Sequence, residues 1–518
     1  MLACQRISHA FGEKVVLSNC SLCVNVGERM GLVGANGSGK TTLLKIMVGL
    51  IEPDQGKVRH SPHVVIGYLS QEIGVEAGRQ SVIEFISAFS KVSADEIVSD
   101  SEFTRLFRDM SLDPSLLERS VSELSGGEKS KINLIRLLVS DCDIYLLDEP
   151  TNNLDLVGLL FLKRFIKESD AAFVLVSHDR KLLDETVTRI IELDEWNHGL
   201  RLYVGGWTDY TREREARITR EWARYKDYQE KVEELDESIR EAKQWAVKGQ
   251  KGPKRVDHEK IARGYRKNRS EVLGRRAKSL ERRRDYVEEA EKPRERLPMK
   301  LSLEIGERSG NIVFELKHVE KRLSTLLLGP LNLTVSFGEK VAILGPNGSG
   351  KTTLLRLLIR AEKLDCGELR MGSRINIGYL PQEYGEEMRE QVLPYFLEAT
   401  DLSETDARKV LNRFGVRKED ISRTLGELSP GQRSRTVIAR LMTQRVNCLI
   451  LDEPSNHLDV EALRSLESAL ANYEGTIIVV SHDRYFLDKV VPTTTYLLSG
   501  GEIGPLRDYH DYEREILA

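Results

Sequence analysis

The block GANGSGKTTLL at 34–44 returns as GPNGSGKTTLL at 345–355, and it does not return alone. GYLSQE (67–72) recurs as GYLPQE (378–383), ELSGGEKS (123–130) as ELSPGQRS (427–434), YLLDEPTNNLD (145–155) as LILDEPSNHLD (449–459), and VSHDR (176–180) as VSHDR (480–484). The intervals repeat too. Lys40 to Gln71 and Lys351 to Gln382 are both 31 residues, Ser125 to Asp148 and Ser429 to Asp452 both 23, Glu149 to His178 and Glu453 to His482 both 29. Only the Gln-to-Ser interval differs, 54 in the first copy and 47 in the second. Fixed spacing of this kind means a duplicated domain. The expected division is 1–208 and 301–518 for the two copies, with 209–300 of different character between them.

Within each copy, short β-rich runs (RMGLVG, IYLLDE, AFVLVS; VAILG, CLILDE, TIIVVS) precede glycine-rich or acidic turns and then helical patterns. That alternation predicts an α/β fold on a mainly parallel sheet. GxxxxGK[ST] between a strand and a helix is a phosphate-binding loop, because its glycines let successive backbone N–H groups curl around phosphates at a helix N-terminus. Gly34, Asn36, Gly37, Ser38, Gly39 and Thr42, and Gly345, Asn347, Gly348, Ser349, Gly350 and Thr353, are the loop residues. Lys40 and Lys351 are expected on the β/γ-phosphates of ATP, and Thr41 and Thr352 on Mg²⁺. Asp148 and Asp452 end apolar strands and would hold the same ion, partly through water. Glu149 and Glu453 follow directly and can polarise the attacking water, while His178 and His482 close later strands and can orient it. Gln71 and Gln382 can reach metal and water.

Together these motifs resemble the ATP-binding cassette superfamily from end to end of both copies. The resemblance adds LSGGE (124–128) and LSPGQ (428–432), whose serine and helix N-terminus bind the γ-phosphate held by the opposite cassette. It implies one composite site joining Lys40, Thr41, Gln71, Asp148, Glu149 and His178 to Ser429 and Gly431. The other joins Lys351, Thr352, Gln382, Asp452, Glu453 and His482 to Ser125, Gly126 and Gly127. Both catalytic glutamates are present, so turnover is expected at both. Pro430 removes one backbone donor from the second motif. Phe11 fits the adenine-stacking position of the first cassette. EKRLSTLL offers no aromatic in the second, where Arg322 is the candidate.

The connection between the copies has another chemistry. Residues 211–300 hold 28 Lys+Arg against 19 Asp+Glu in a chain of net charge −4, and 242–284 hold 16 against 4. Sparse apolar positions at spacings of three and four run over 209–247 and again over 257–291, around the breaker 246-AVKGQKGPKR-255. That predicts a long antiparallel α-helical hairpin with its tip near 246–256. At ~1.5 Å per residue each arm extends about 50–58 Å. Its cations call for an anionic partner, nucleic acid or a phosphate-rich surface, with Trp245, Lys248, Lys251, Lys254, Arg255, Arg263, Arg266, Lys267 and Arg269 as the expected contacts.

Six cysteines in 518 residues make no disulfide framework, and Cys20-x-x-Cys23 has no second pair to complete a zinc site. These two, with Cys4, Cys142, Cys366 and Cys448, read as small hydrophobes. No apolar run approaches the ~20 residues of a membrane span, and the first residues lack a signal peptide's apolar stretch. A cytoplasmic protein without a membrane partner is expected.

Three functions remain in competition. The energy subunit of a transporter has no use for a basic hairpin. DNA-maintenance ATPases of the SMC and Rad50 type interrupt one cassette with a far longer coil, and UvrA-like proteins need zinc-ligand cysteines. The ABC-F ATPases match, and KIARGYRKNRSEVLGRRAKSLERR (260–282) resembles their second linker helix. The resemblance implies a partner ribosome (rRNA and peptidyl-tRNA), a linker reaching the peptidyl-transferase centre, and a monomer whose two cassettes pair with each other. Housekeeping members carry an arm between the Gln and Ser motifs. Here the first copy exceeds the second by only 7 residues and no extension is expected after YEREILA, so the chain resembles the antibiotic-resistance branch, with a factor for stalled ribosomes as the alternative.

Overall fold

The computed structural model describes residues 1–70, 79–88, 101–152, 154–250, 272, 274–287, 289–293, 306–323, 326–382, 384–455, 458 and 460–517. The chain divides into two compact units, Met1–Thr208 with Pro298–Ala518, and Asp209–Leu297.

In the larger unit the duplication is visible strand by strand. β1 (Leu2–Phe11) pairs antiparallel with β2 (Lys14–Val24) and with β4 (Gln55–His60). β5 (Ile66–Leu69), β6 (Ile144–Asp148), β7 (Ala172–Val176), β3 (Arg29–Val33) and β8 (Arg189–Leu193) lie parallel in that order, and β9 (Leu200–Val204) closes the edge antiparallel. The second cassette repeats both sheets. β10 (Ile312–Arg322) lies between β11 (Leu327–Ser336) and β13 (Cys366–Met371). β14 (Ile377–Leu380), β15 (Cys448–Asp452), β16 (Thr476–Val480), β12 (Lys340–Leu344), β17 (Thr494–Ser499) and β18 (Glu502–Leu506) form the six-stranded sheet. Every residue of β6, β7, β15 and β16 is buried. Continuous apolar strands covered on both faces are what a parallel sheet requires.

Helices start where the sequence supplies a cap. Ser125 and Ser429 each close a reciprocal capping box, with Glu128 and Gln432, at the heads of helices Gly126–Leu138 and Pro430–Thr443. Pro430 occupies the first turn, where a missing N–H costs no helical hydrogen bond. Asp155 caps helix Leu156–Glu168, and that helix sends Leu156 and Leu160 into the apolar core of the second cassette.

The smaller unit is a helical hairpin. Helix Trp207–Gln250 runs 44 residues, and the return arm is helical over 274–285. Lys243 pairs with Glu281 at 2.6 Å and Asp236 with Arg284 at 2.7 Å, while Ile239, Ala242 and Ala277 are buried. A partner that rises along one arm as it falls along the other fixes the antiparallel sense. The helix continues into the first half of the expected breaker. Ala246–Gln250 remain helical, because one glycine costs a helix only about 1 kcal/mol. Residues 251–271 lie outside the described residues, and with them the remainder of the expected tip.

The cysteines are unlinked. Cys4, Cys20, Cys142 and Cys448 are buried, and burial pushes the Cys4 thiol up to about 12. Cys366 departs from the expectation: at the start of β13 it is exposed. No helix among the described residues is long and apolar enough to cross a membrane.

Candidate nucleotide sites between paired cassettes

β3 and β12 each deliver the chain into a glycine loop that turns directly into a helix, Lys40–Met47 and Lys351–Leu358. Gly39 and Gly350 cap those helices at φ 111° and 97°, left-handed values that disfavour a side chain. At Gly39 the space is closed as well, since a Cβ would lie 2.5 Å from Val16 Cγ1. Gly37 and Gly348 share φ 78°. Lys40 Nζ donates to the carbonyls of Gly34 (2.9 Å) and Ala35 (3.2 Å), and Lys351 Nζ to those of Gly345 (2.8 Å) and Pro346 (2.9 Å). Each ammonium is thereby folded back over its own loop, with Ser38 and Ser349 buried beside it.

Asp148 is 1% exposed at the end of β6 and hydrogen-bonded by the Thr41 hydroxyl, and burial raises its pKa. Its Oδ1 has no hydrogen-bond partner within the protein. A buried carboxylate oxygen left without a donor, beside a threonine hydroxyl, suits a hard divalent cation with oxygen ligands. Asp452 ends β15 at the same level of burial.

The next residue departs from the strand in both copies. Glu149 and Glu453 have φ 50° and 46°, which few non-glycine residues adopt, and each N–H is held by the last carbonyl of the neighbouring strand, Val176 or Val480 (both 2.9 Å). Such backbone strain is characteristic of functional positions. The turn aims each carboxylate at a histidine. His178 Nε2 is 3.1 Å from Glu149 Oε1, and the backbone N–H of His178 donates to Oε2 at 3.3 Å. The second copy has 3.5 and 3.2 Å for Glu453 and His482. Burial raises the pKa of Glu453, with Asp452 adding to it, and lowers that of His482 beside Lys351. His482 is therefore neutral and can both donate and accept.

One composite site is assembled. A cavity of about 960 Å³ is lined by Lys351, Thr352, Thr353, Gln382, Asp452, Glu453 and His482 from the second cassette and by Ser125, Gly126 and Gly127 from the first. For the other set, Lys40, Thr41, Asp148, Glu149 and His178 occupy the equivalent elements, and Ser429 caps the helix that contains Gly431. Gln71 lies outside the described residues. So do Lys251, Lys254, Arg255, Arg263, Arg266, Lys267 and Arg269, and the side chains of Trp245 and Lys248.

The adenine-side expectation changes in the second cassette. Ala10 N–H donates to Asp54 (2.8 Å) as Arg322 N–H donates to Asp365 (2.7 Å), and the positive-φ residues Arg6 and His318 precede them by four positions each. Arg322 thus occupies the place of Ala10, and Leu323 that of Phe11. The pairs Ala10–Val15 and Arg322–Leu327 span the same number of residues, so the position read from sequence as Arg322 falls one residue later, at Leu323.

Three further features escaped the sequence reading. Asp155 of the first cassette accepts from Lys131 (2.9 Å), from Gly158 N–H (3.1 Å) and from the backbone N–H of Asn347 in the opposite glycine loop (3.4 Å). Arg180, fully buried, crosses to Glu467 and Asp483 of the second cassette, and Arg484 crosses back to Glu185. Asp155, Arg180 and Arg484 are the last residues of repeated blocks, so the repetition itself was a signal.

A glycine loop of the second cassette sharing a cavity with the signature loop of the first, and the same elements repeated for a second set, define a tandem nucleotide-hydrolysing cassette protein. The ABC transporter family model matches residues 17–152 and 328–456. The Bacillus subtilis ABC transporter ATP-binding protein YfmM is 31% identical over 95% of this chain and 98% of its own length. The Escherichia coli energy-dependent translational throttle protein EttA is 30% identical over 98% and 94%. Arabidopsis thaliana ABC transporter F family member 5 is 29% identical over 98% and 75%. In the solved complex of archaeal ribosomal stalk protein aP1 with the recycling factor aABCE1, a chain 19% identical has the same fold, with a TM-score of 0.65 over 99% of this chain and 92% of that one. The chain belongs to the ABC transporter family, in its F group, and is an ATPase.

Proposed function

We propose that this ATPase works on the ribosome, using ATP-dependent pairing of its cassettes to hold the linker hairpin near the peptidyl-tRNA and the peptidyl-transferase centre. What carries the reading is the joining of the tandem cassettes to a 44-residue helix and a return arm, with 16 cations against 4 anions over 242–284. The throttle activity in the name of the E. coli relative supports it. RNA phosphates are the natural counter-charge for such a rod.

In this reading Lys40 and Lys351 leave their loop carbonyls for the β/γ-phosphates, and the opposite signature serine meets the γ-phosphate. Thr41 with Asp148, and Thr352 with Asp452, hold Mg²⁺, with Gln71 and Gln382 acting through water. When bound, Mg²⁺ neutralises charge on the β- and γ-oxygens. Glu149 and Glu453 take the proton of the attacking water, and His178 and His482 orient it. The protein acts as a cytoplasmic monomer, divided at 1–208, 209–300 and 301–518.

The test is the double substitution Glu149→Gln with Glu453→Gln. ATP turnover should fall about 10²–10⁴-fold, the usual loss with a general base. The protein should also cosediment with ribosomes in ATP, and its sedimentation free of 70S particles would overturn the assignment.

Two cellular roles follow. The short first-cassette interval favours protection against antibiotics that bind near the peptidyl-transferase centre. The throttle relative favours control of translation itself. Minimum inhibitory concentrations in a sensitive host expressing the gene separate them: protection from one drug group means the first, none the second.

A further inference from the structure

The base-facing ends of the two sites differ chemically. In the first cassette Phe11 ends β1, 55% exposed, with its ring edge-on to His9 at 4.8 Å. In the second, Leu323 takes that place, half-buried, its N–H closing a turn onto Leu326 O at 2.8 Å. Leu323 lines the 960 Å³ cavity at its second-cassette wall. The first cassette supplies Leu112, Leu116 and Arg119 to the same cavity. Asp113 also lines it, but its carboxylate is engaged by the Ser115 N–H at 2.8 Å, which caps the turn Pro114–Glu118.

We infer that the second site holds its nucleobase between Leu323 and the Leu112–Leu116–Arg119 wall and reads phosphates and ribose but hardly the base. It accepts GTP, CTP and UTP nearly as well as ATP, whereas the first site favours purines. The inference rests on the nucleotide-site assignment proposed above and not on the ribosome.

An aliphatic wall makes dispersion contact with any flat ring, and a guanidinium plane stacks on any base. Neither supplies the directional donors and acceptors that tell base edges apart. An exposed aromatic ring instead rewards overlap area, and a purine offers more than a pyrimidine. Base–aromatic stacking of ordinary strength corresponds to about a 5- to 150-fold change in affinity, of which the extra overlap of a purine is a part.

The experiment uses the full chain and a fluorescent N-methylanthraniloyl-ATP probe displaced by ATP, GTP, CTP or UTP. Lys40→Met leaves the second site to be read and Lys351→Met the first. With Lys40→Met, the four nucleotides should displace the probe within about threefold of one another. With Lys351→Met, ATP should exceed CTP by about tenfold. Adding Leu323→Phe to the Lys40→Met chain should restore the ATP preference. Arg119→Ala should instead weaken all four nucleotides by a similar factor.

An ATP preference at the second site equal to that at the first, or a Leu323→Phe chain with unchanged ratios, overturns the inference and leaves the site assignment standing. Loss of all probe binding from the Lys40→Met chain overturns both.

Discussion

Arg180 and Arg484 end the two copies of VSHDR, and each reaches across the cassette interface from its own side. Arg180 is sealed in. Its guanidinium donates to Glu467, lies 3.7 Å from Asp483 and sits 4.2 Å over the ring of Tyr485, with the side chain fully buried. Arg484 finds Glu185 at 3.6 Å and Glu513 at 2.6 Å, whose side chains are 28% and 16% exposed. The reason lies in the opposing residues. Glu467 of the second cassette is Lys163 at the matching place in the first, where it pairs with Glu185 at 2.7 Å, and Tyr485 is matched by Lys181. Duplication preserved the lysines, threonines, carboxylates and histidines of the nucleotide motifs, because phosphate chemistry allows few substitutes. It let the interface around them become one dry contact and one wetter one.

The largest effect should come from removing the dry contact. Arg180→Met leaves Glu467 and Asp483 buried without their counter-charge and should cost about 3–5 kcal/mol. Arg484→Met, whose partners can regain water, should cost roughly 1–2 kcal/mol. Denaturant unfolding of the full chain measures both, and equal losses would erase the difference between the two sides.

A smaller contrast lies in the glycine loops. Gly39→Ala and Gly350→Ala both force a side chain into left-handed backbone, at about 1–3 kcal/mol. The Gly39 Cβ meets Val16 at 2.5 Å, whereas at Gly350 the nearest atom is Leu328 Cδ1 at 3.1 Å. Gly39→Ala should therefore be worse by about 1 kcal/mol. Thermal unfolding that ranks them the other way would refute the packing argument.

The smallest effect is a pH slope. Burial raises Asp483 to about 6, against the pull of Arg180 and with Asp179 and Glu467 adding to the rise. A carboxyl held above its unfolded value stabilises when protonated. Its contribution is full below about pH 4 and lost as pH rises through about 6. Stability of the native chain relative to Asp483→Asn should thus decline between pH 4 and 7, and a flat difference would contradict the assignment.

Much of this is legible in the sequence. Glycine loops, strand-ending carboxylates and capping serines obey local rules, so their spacing announced the fold and most site residues. The base wall is less legible: EKRLSTLL holds no aromatic to mark the position, and only the hydrogen bond to Asp365 and the strand pairing set Leu323 rather than Arg322 in the place of Phe11. The partners of Arg180 lie 287 and 303 positions away, and no local pattern carries such a pairing. Ala246–Gln250, inside the expected breaker, are helical, a local helix-breaking preference outweighed by the helix that precedes it.

Leu156 and Leu160, first-cassette residues within the second cassette's core, also bear on how the chain is made. A ribosome releases the first cassette well before the second. At about 5–20 residues per second, the roughly 300 residues that follow occupy about 15–60 s. For that interval both leucines belong to a core that does not yet exist. The first cassette waits with that face open to any apolar surface nearby, and the second completes its interior only by closing on a neighbour already folded. The order of synthesis is therefore part of the assembly route, and a second cassette produced by itself would emerge short of two of its own core residues.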